Sequence, residues 1–411
     1  MQRRATALRL PAAVLAGLLT SACTATTPAP GSPATPRPGV PARTAHPAGL
    51  PGCSARAAAA PRLTSAHTSL VPVGRAAFGV AVSPGRAFVS STGPQLRVLA
   101  VGRRPALSPA GTVLAANAEL AGETLTRDGR YLLVASDSGA VVFSTARAGA
   151  GSAHADLGSL QRPQGHGGGA IEVAVSASAG LAFVSLEDVA QVAVFSLHRA
   201  LTHGFGPADY IGSIPTGIAP VGLAVSPGGQ WLYATSELAR PQPSGAGGQG
   251  SLSVISVPRA ARDPAHAVVS TVAAGCQPVR VITSADGRVV WVTARGSNAL
   301  LGFAADRLRA DPAHALVARV QVGTAPVGLA LVGGGRRIVV ADSNRFHAAH
   351  ASSSLAVISV PAALAGRPAL LGLLPAGGFP REMALAPGGK TLLVTCFTSG
   401  QVEAVDVASL P

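Results

Sequence analysis

Residues 220–235 read Pro220-Val-Gly-Leu-Ala-Val-Ser-Pro-Gly-Gly-Gln-Trp-Leu-Tyr-Ala-Thr235, and the pattern returns as Pro380-Arg-Glu-Met-Ala-Leu-Ala-Pro-Gly-Gly-Lys-Thr-Leu-Leu-Val-Thr395. Each copy joins two short apolar runs through a Gly-rich turn, as in a β-hairpin. Further copies span Ala77–Ser90, Leu120–Ala135, Ala170–Ser185, Pro278–Thr293 and Pro326–Ala341. From one copy to the next, the residues that begin these turns lie 43 to 58 positions apart in the sequence. The sequence therefore contains seven repeats of one structural unit.

Two more apolar runs complete each unit. Leu252–Ser256 has the pattern of a third strand, and Val317–Val322 has that of a fourth strand leading into the next unit. Four short strands per repeat, separated by Gly and Pro, are typical of propeller blades. We therefore predict an all-β, seven-bladed β-propeller over residues 62–411, without long helices. The last repeat has three strands of its own, so we expect His67–Gly74 to complete the last blade and close the ring.

Composition supports a folded domain and narrows its partners. Apolar residues make up 48% of the 411 residues and charged residues 12%, which excludes a disordered chain. The formal net charge is +14, and Lys390 is the only lysine. The basic residues are dispersed along the chain and aromatic residues make up only 4%, so we do not expect nucleic-acid binding. Weak attraction to anionic wall polymers or phospholipid headgroups follows from charge alone.

The N-terminal region has the features of an export signal. Arg3, Arg4 and Arg9 precede or border a short apolar stretch, and Thr20-Ser-Ala-Cys23 resembles a lipobox. We predict a signal peptide over residues 1–22, lipidation of Cys23 and a Pro/Ala/Thr-rich tether over residues 23–61. This arrangement would anchor the protein to the outer face of a bacterial cell membrane. An ordinary secreted protein is the alternative.

At the repeat residues the chain resembles the YVTN-type seven-bladed propellers, which include YncE-like periplasmic proteins and lactonase-like relatives. The pattern Pro-x-Gly-Leu-Ala-x-Ser-Pro-Gly-Gly followed by Leu-Tyr-Ala-Thr in residues 220–235 carries the resemblance, which extends over 65–410. The resemblance implies the fold. It implies no single function, because these residues build turns and core, and one scaffold hosts many activities.

The repeat also predicts which side chains surround the central channel. The position of Gly222 is occupied in turn by Gly79, Gly122, Glu172, Gly222, Arg280, Gly328 and Glu382, which we call the axial position. Arg381 and Glu123 are adjacent in sequence to axial residues. Charged groups in a narrow channel are costly unless they are paired or bind a ligand. We therefore predict either a mouth-face site for a small polar or anionic ligand, or a structural ion-pair network among Glu172, Arg280 and Glu382.

Our leading hypothesis is a noncatalytic binding or scaffold propeller of the cell envelope, monomeric, with a small ligand or an envelope protein as its partner. The alternative is a lactonase-like hydrolase in which Glu172 or Glu382 activates water and Arg280 stabilises the oxyanion. No nucleophile elbow is evident in the sequence. The sequence also indicates no cofactor, because it has no evident haem-attachment motif or quinone site. It indicates no metal either, although acidic channel residues resemble those that bind Ca²⁺ in gluconolactonase-like propellers.

The remaining candidate features lie in cysteines and loops. Cys53, Cys276 and Cys396 include at least one unpaired thiol if Cys23 is lipidated, and the sequence leaves their pairing open. A second ring of polar residues is expected at the channel mouth, on the loops that follow each second strand. Its members are Asp137, Glu187, Asp188, Glu237, Arg295, Asn298, Asp342, Asn344 and Arg345. The Asp-Pro-Ala-His segments at 263–266 and 311–314 are expected to be turns on the opposite face.

Overall fold

A computed structural model describes residues 49–74, 76–102, 106–114, 119–163, 167–239 and 248–411. The predicted signal peptide, Cys23 and the first part of the predicted tether lie outside these residues. The described chain forms seven antiparallel sheets of four strands each, which confirms the predicted seven-bladed propeller. No helix in this part of the chain has the length and apolar content of a membrane span.

The strands follow one another with short connections. They are β1 (Thr68–Pro72), β2 (Ala77–Ser83), β3 (Arg86–Ser91), β4 (Gly93–Val101), β5 (Leu107–Leu114), β6 (Glu123–Leu125), β7 (Tyr131–Ser136), β8 (Gly139–Ser144), β9 (Asp156–Leu160), β10 (Ala170–Val175), β11 (Leu181–Leu186), β12 (Gln191–Ser196), β13 (Tyr210–Pro215) and β14 (Ile218–Val225). The second half comprises β15 (Trp231–Leu238), β16 (Gln249–Ser256), β17 (Val268–Cys276), β18 (Pro278–Thr283), β19 (Val289–Ala294), β20 (Ala299–Ala304), β21 (Leu316–Gln321), β22 (Pro326–Val332), β23 (Arg337–Asp342), β24 (Ser354–Ser359), β25 (Leu370–Pro375), β26 (Pro380–Leu385), β27 (Thr391–Cys396) and β28 (Gln401–Asp406).

Blades 1 to 6 each contain four consecutive strands, beginning with β2–β5, and blade 7 contains β26–β28 and β1. Strand β1 pairs antiparallel with β28, with Thr68 opposite Val405 and Pro72 opposite Gln401. A strand from the beginning of the chain thus forms the outer edge of the last sheet, and the propeller closes on itself.

Five short helices connect third and fourth strands. They are α1 (Thr145–Gly149), α2 (Leu197–His203), α3 (Val257–Ala260), α4 (Arg307–Ala310) and α5 (Val360–Leu364). Four of them begin directly after a serine whose hydroxyl accepts a hydrogen bond from the first turn, as Ser196 does from the amide of Arg199 at 3.2 Å. The two Asp-Pro-Ala-His segments form single 3₁₀ turns at Pro264–His266 and Pro312–His314, as predicted.

The core is divided among the contacts between blades. Each of the seven interfaces has its own cluster of buried aliphatic and aromatic side chains, such as Phe88, Leu132 and Phe143 between blades 1 and 2. Both faces of every sheet are therefore covered by a neighbouring blade. This explains why the apolar runs show little alternation between apolar and polar residues.

The residue that ends the repeat hairpin links neighbouring blades. The Thr235 hydroxyl accepts a hydrogen bond from the amide of Gly222 at 3.0 Å and donates one to the carbonyl oxygen of Val279 in the next blade at 2.7 Å. Equivalent hydroxyls contact the next blade from Ser90, Ser185, Thr293 and Thr395. Blade 2 has Ala135 at this position, and there the amide of Gly122 donates directly to the carbonyl oxygen of Ile171 at 2.8 Å.

The same close approach explains glycine at the axial position. A Cβ atom on Gly222 would lie 2.3 Å from the carbonyl oxygen of Val279, and one on Gly328 would lie 2.1 Å from that of Arg381. Real Cβ atoms do not approach so closely, so a side chain here would push the blades apart.

Residues 49–63 lie against blades 4 to 6, although we expected a tether up to residue 61. A disulfide joins Cys53 to Cys276 at the end of β17. The amide of Ser54 donates to the carbonyl oxygen of Gly296 at 2.8 Å, and that of Leu63 donates to Leu373 at 2.8 Å. Backbone pairing of this kind is not visible in a Pro/Ala-rich composition.

Candidate functional site

The innermost strands β2, β6, β10, β14, β18, β22 and β26 surround the central channel. In six of them the pairing with the second strand shifts just before or at the axial position, as between Pro278 and Val281 of blade 5. Glu172, Arg280 and Glu382 occupy equivalent places in this register. The bulge turns these residues toward the axis, where three blades supply charged side chains.

Arg280 lies between two carboxylates. Its Nε is 2.6 Å from Oε1 of Glu382 and 3.2 Å from Oε2 of Glu172, and its Nη2 also contacts Glu382. Burial alone would lower the pKa of Arg280, but the two carboxylates outweigh burial and the pKa is raised. The guanidinium is therefore firmly protonated. The structure thus brings together three residues that the sequence predicted to meet.

Glu123 lies nearby but has a different environment. It is buried, with 8% of its surface exposed, and neither carboxylate oxygen has a hydrogen-bond partner among the described residues. Burial raises the pKa of this carboxyl well above its usual value. The nearby backbone of Ala81 and hydroxyl of Ser90 act against burial, and the charges of Glu172 and Glu382 act with it. Burial also raises the pKa of Glu172, although Arg280 opposes the change. Burial therefore favours the uncharged form of Glu123 over a wider pH range than for an exposed carboxyl group.

A cavity of about 150 Å³ lies among these groups. Glu123, Glu172, Arg280 and Glu382 supply its polar lining, and aliphatic side chains such as Leu223 complete the wall. Nη1 of Arg280 has no hydrogen-bond partner in the described chain. The cavity therefore contains an unpaired donor and an unpaired carboxyl group beside an apolar wall.

Apolar side chains, which we call the apolar ring, lie at one end of this cavity. The residues directly before the axial position include Val221, Val279 and Val327, which contact one another and are at most 4% exposed. The lining residues of the cavity are axial residues or follow them along the innermost strands, so none belongs to this ring. The charged cluster thus lies beneath the apolar ring, whereas we predicted that it would be open to the mouth face.

Arg381 is separated from the cavity that we expected it to line. Its guanidinium stacks 3.6 Å from the ring centre of Phe78, with Phe397 and Phe379 within 5.8 Å. Burial lowers its pKa to about 9, and the charge of Arg280 contributes. The three phenylalanines fall at loop and strand-entry positions, and their scattered places in the sequence gave no signal that they meet.

Several residues of the predicted second polar ring form separate structural contacts. Arg295 donates to both oxygens of Glu237 at 2.7 Å, and burial lowers the pKa of Arg295. Asn298 donates to the carbonyl oxygen of Ala55, and Asp342 accepts from Ser354 at 3.0 Å. In the described ranges no group of His, Cys, Asp and Glu side chains is arranged to hold a metal ion.

No known protein family and no curated protein matches this sequence. Among solved structures, the chain is similar to hydrazine synthase from Kuenenia stuttgartiensis, with a TM-score of 0.62 and 16% identity over 82% of this chain and 97% of that one. It is also similar to a chain of a mitotic checkpoint complex, with a TM-score of 0.61 and 11% identity over 82% of this chain and 93% of that one. At this identity the likeness shows the fold alone, and the fold is a seven-bladed β-propeller.

Proposed function

We propose that this propeller is a noncatalytic binding scaffold of the cell envelope whose central cavity receives a small polar ligand. The observation that carries the proposal is Glu123, whose two buried carboxyl oxygens accept no hydrogen bond from any residue that the structure describes. An unpaired buried carboxyl group is costly, and a ligand or ordered water in the adjacent cavity would supply the missing hydrogen bonds.

The charges of the cluster limit the chemistry of the ligand. Glu172 and Glu382 already neutralise Arg280, so Glu123 and Nη1 of Arg280 remain to contact a ligand. These groups suit a small molecule with one hydrogen-bond donor and one acceptor, neutral or zwitterionic. An anion would meet three carboxyl groups, so we favour the polar ligand over the anionic one. The cavity has room for about five water-sized groups.

The lactonase-like alternative has less support from this geometry. In that mechanism Arg280 would stabilise an oxyanion while Glu172 or Glu382 activates water. Nε and Nη2 of Arg280 are occupied by those same two carboxylates. A catalytic role would require the ion pairs to open when substrate binds.

A ligand screen by thermal shift tests the proposal. The probes are glycine, ethanolamine, glycerol and acetate, applied to wild type, Glu123→Gln and Glu403→Gln. Glu403 is buried like Glu123 but does not line the cavity, so its variant controls for loss of a buried carboxyl group. We expect glycine or glycerol, which carry no net charge, to raise Tm in wild type and in Glu403→Gln but not in Glu123→Gln. A shift that persists in Glu123→Gln, or no shift with any probe, contradicts the proposed site.

Two further measurements address the rest of the proposal. Hydrolysis of any lactone in a panel, with or without Ca²⁺, would contradict the noncatalytic function and favour the hydrolase. The proposed anchor is a lipid on Cys23, which would hold the protein on the outer face of the bacterial membrane. If a Cys23→Ser variant remains in the membrane fraction after a high-salt wash, the lipid on Cys23 is not the anchor.

A further inference from the structure

Propeller topology collects all connections of one kind at one end of the molecule. In every blade the turn between strands one and two lies at the same end as the connection between strands three and four. We call this end the turn face. Side chains that are far apart in the sequence therefore come together here, because every repeat returns to the same face.

The turn face is strongly basic. Six exposed basic side chains lie in the turns between the first two strands of the blades: Arg86, Arg127, Arg130, Arg288, Arg336 and Lys390. Five more lie on the connections between the last two strands: Arg147, Arg199, Arg259, Arg262 and Arg367. The sequence suggested dispersed charge, and the fold gathers it on one end.

The exposed acidic groups of the turn face are fewer and bind locally. Among the described residues of this face they are Asp128, Asp263, Asp286, Asp306 and Asp311, against the eleven exposed basic residues named above. Asp286, for example, accepts from the hydroxyl of Ser284 and from the amide of Arg288 at 3.1 Å. These short side chains stay close to the loop backbone, whereas the longer arginine side chains reach farther from it. Arg199 is also paired with the buried Asp209 at 3.6 Å, so an excess of about five positive charges faces outward among the described residues.

The opposite end has no such excess. Among the described residues there, the exposed charged side chains are Glu119 and Asp188 against Arg56 and Arg345, and the less exposed Asp137, Glu187 and Glu237 lie with Arg162 and Arg295. The molecule thus has a charge asymmetry along its axis, which orients it in an electric field.

We propose that the turn face docks on the anionic headgroups of a phospholipid bilayer. Its basic residues are spread over all seven blades, so they match a planar array of charges better than a single strand. Base stacking, which nucleic-acid binding uses, needs exposed aromatic rings. Among the described residues, the exposed aromatic side chain is Phe346. It follows β23 and lies at the opposite end.

The position where the chain enters the domain is consistent with this orientation. Gly49 and Leu50 line a groove together with Arg307 and His314 of the turn face, and the Gly49 carbonyl oxygen accepts from Arg319 at 3.2 Å. Gly49, the first residue that the structure describes, therefore lies beside the basic surface. This step rests on the proposed anchor at Cys23, whereas the argument from charge does not.

A vesicle-binding comparison tests the docking surface. Arg130, Arg288 and Lys390 occupy the position held by Gln230 in blade 4, so Arg130→Gln, Arg288→Gln and Lys390→Gln introduce a residue that the repeat already accepts. Each basic residue near an anionic membrane strengthens binding about fivefold, so the triple variant should bind about 100-fold more weakly. The control replaces the exposed Arg56, Arg62 and Arg345, which lie outside the turn face, by Gln.

The experiment uses the full chain with Cys23→Ser and vesicles of phosphatidylcholine with or without phosphatidylglycerol. The apolar N-terminal stretch is common to all variants, so it cancels in the comparison. We expect phosphatidylglycerol-dependent binding that the turn-face variant loses, the control keeps and added salt weakens. Equal binding to neutral vesicles, no effect of the triple variant, or tighter binding to a DNA duplex than to the vesicles would overturn the proposal. None of these outcomes depends on the cavity ligand, so the two proposals fail separately.

Discussion

Replacement of Thr235 by valine tests whether hydroxyl bridges hold the blades together. Valine has nearly the shape of threonine but can neither accept from the amide of Gly222 nor donate to the carbonyl oxygen of Val279. Thr235 is fully buried, so water cannot replace these bonds. Two backbone groups left without a hydrogen bond, at about 1 to 3 kcal/mol each, give a loss of about 2 to 6 kcal/mol in the free energy of unfolding.

Two further substitutions at the same position separate hydrogen bonding from packing. Serine keeps the hydroxyl, as Ser90 and Ser185 do, and loses one methyl group, about 1 kcal/mol. Alanine leaves room for the direct bond that Gly122 makes to Ile171 beside Ala135. The expected order of destabilisation is serine, alanine, then valine, even though valine preserves the most volume.

The assay is urea unfolding followed through the fluorescence of Trp231 and Trp291, with hydrogen exchange of the β14 amides as a local measurement. Exchange at Gly222 should accelerate most in the valine variant. If valine is tolerated better than alanine, or costs under about 1 kcal/mol, the bridges contribute little and shape complementarity alone holds the blades.

Three other changes probe separate features. Gly222→Ala should cost about 3 kcal/mol because its Cβ would meet the carbonyl oxygen of Val279, whereas Gly228→Ala, whose Cβ meets nothing within 4 Å, should stay within about 0.5 kcal/mol in the same assay. Burial raises the pKa of Glu403 from 4.5 to about 7, so the folded state retains a proton that the unfolded chain releases. Stability should therefore fall by about 3 kcal/mol between these pH values, and Glu403→Gln should lose that part of the pH dependence; identical profiles would contradict the shift. Cys53→Ala with Cys276→Ala should lower stability by about 2 to 4 kcal/mol and expose residues 49–63 to protease, and an unchanged digestion pattern would show that the backbone contacts alone hold the segment.

The blade pattern was predictable because the residues of each repeat determine its local structure. The turn at Ser226–Gly229 and the apolar runs around it specify a hairpin without help from distant residues. The repeated alignment also identified the axial residues, since position within a repeat determines position around the ring. Glu172, Arg280 and Glu382 meet for that reason.

Other features depended on contacts that the repeat does not encode. Thr235 and its equivalents recur visibly in the sequence, but their role appears only when the next blade is in place. The stacking of Arg381 on Phe78 and the pairing of Cys53 with Cys276 join residues from different blades or segments. The basic turn face is not visible in the sequence, because its residues are dispersed along the chain and come together only where the strands end.

The disulfide between Cys53 and Cys276 has a mechanical consequence. Any pull on the chain ahead of Cys53 passes through the covalent bond into blade 4 and leaves residues 54–67 slack. Strand β1, whose hydrogen bonds to β28 close the ring, is therefore shielded from the load. A surface-tethered molecule of this design would carry shear through a covalent link while the strand pairing that closes the ring stays unstressed.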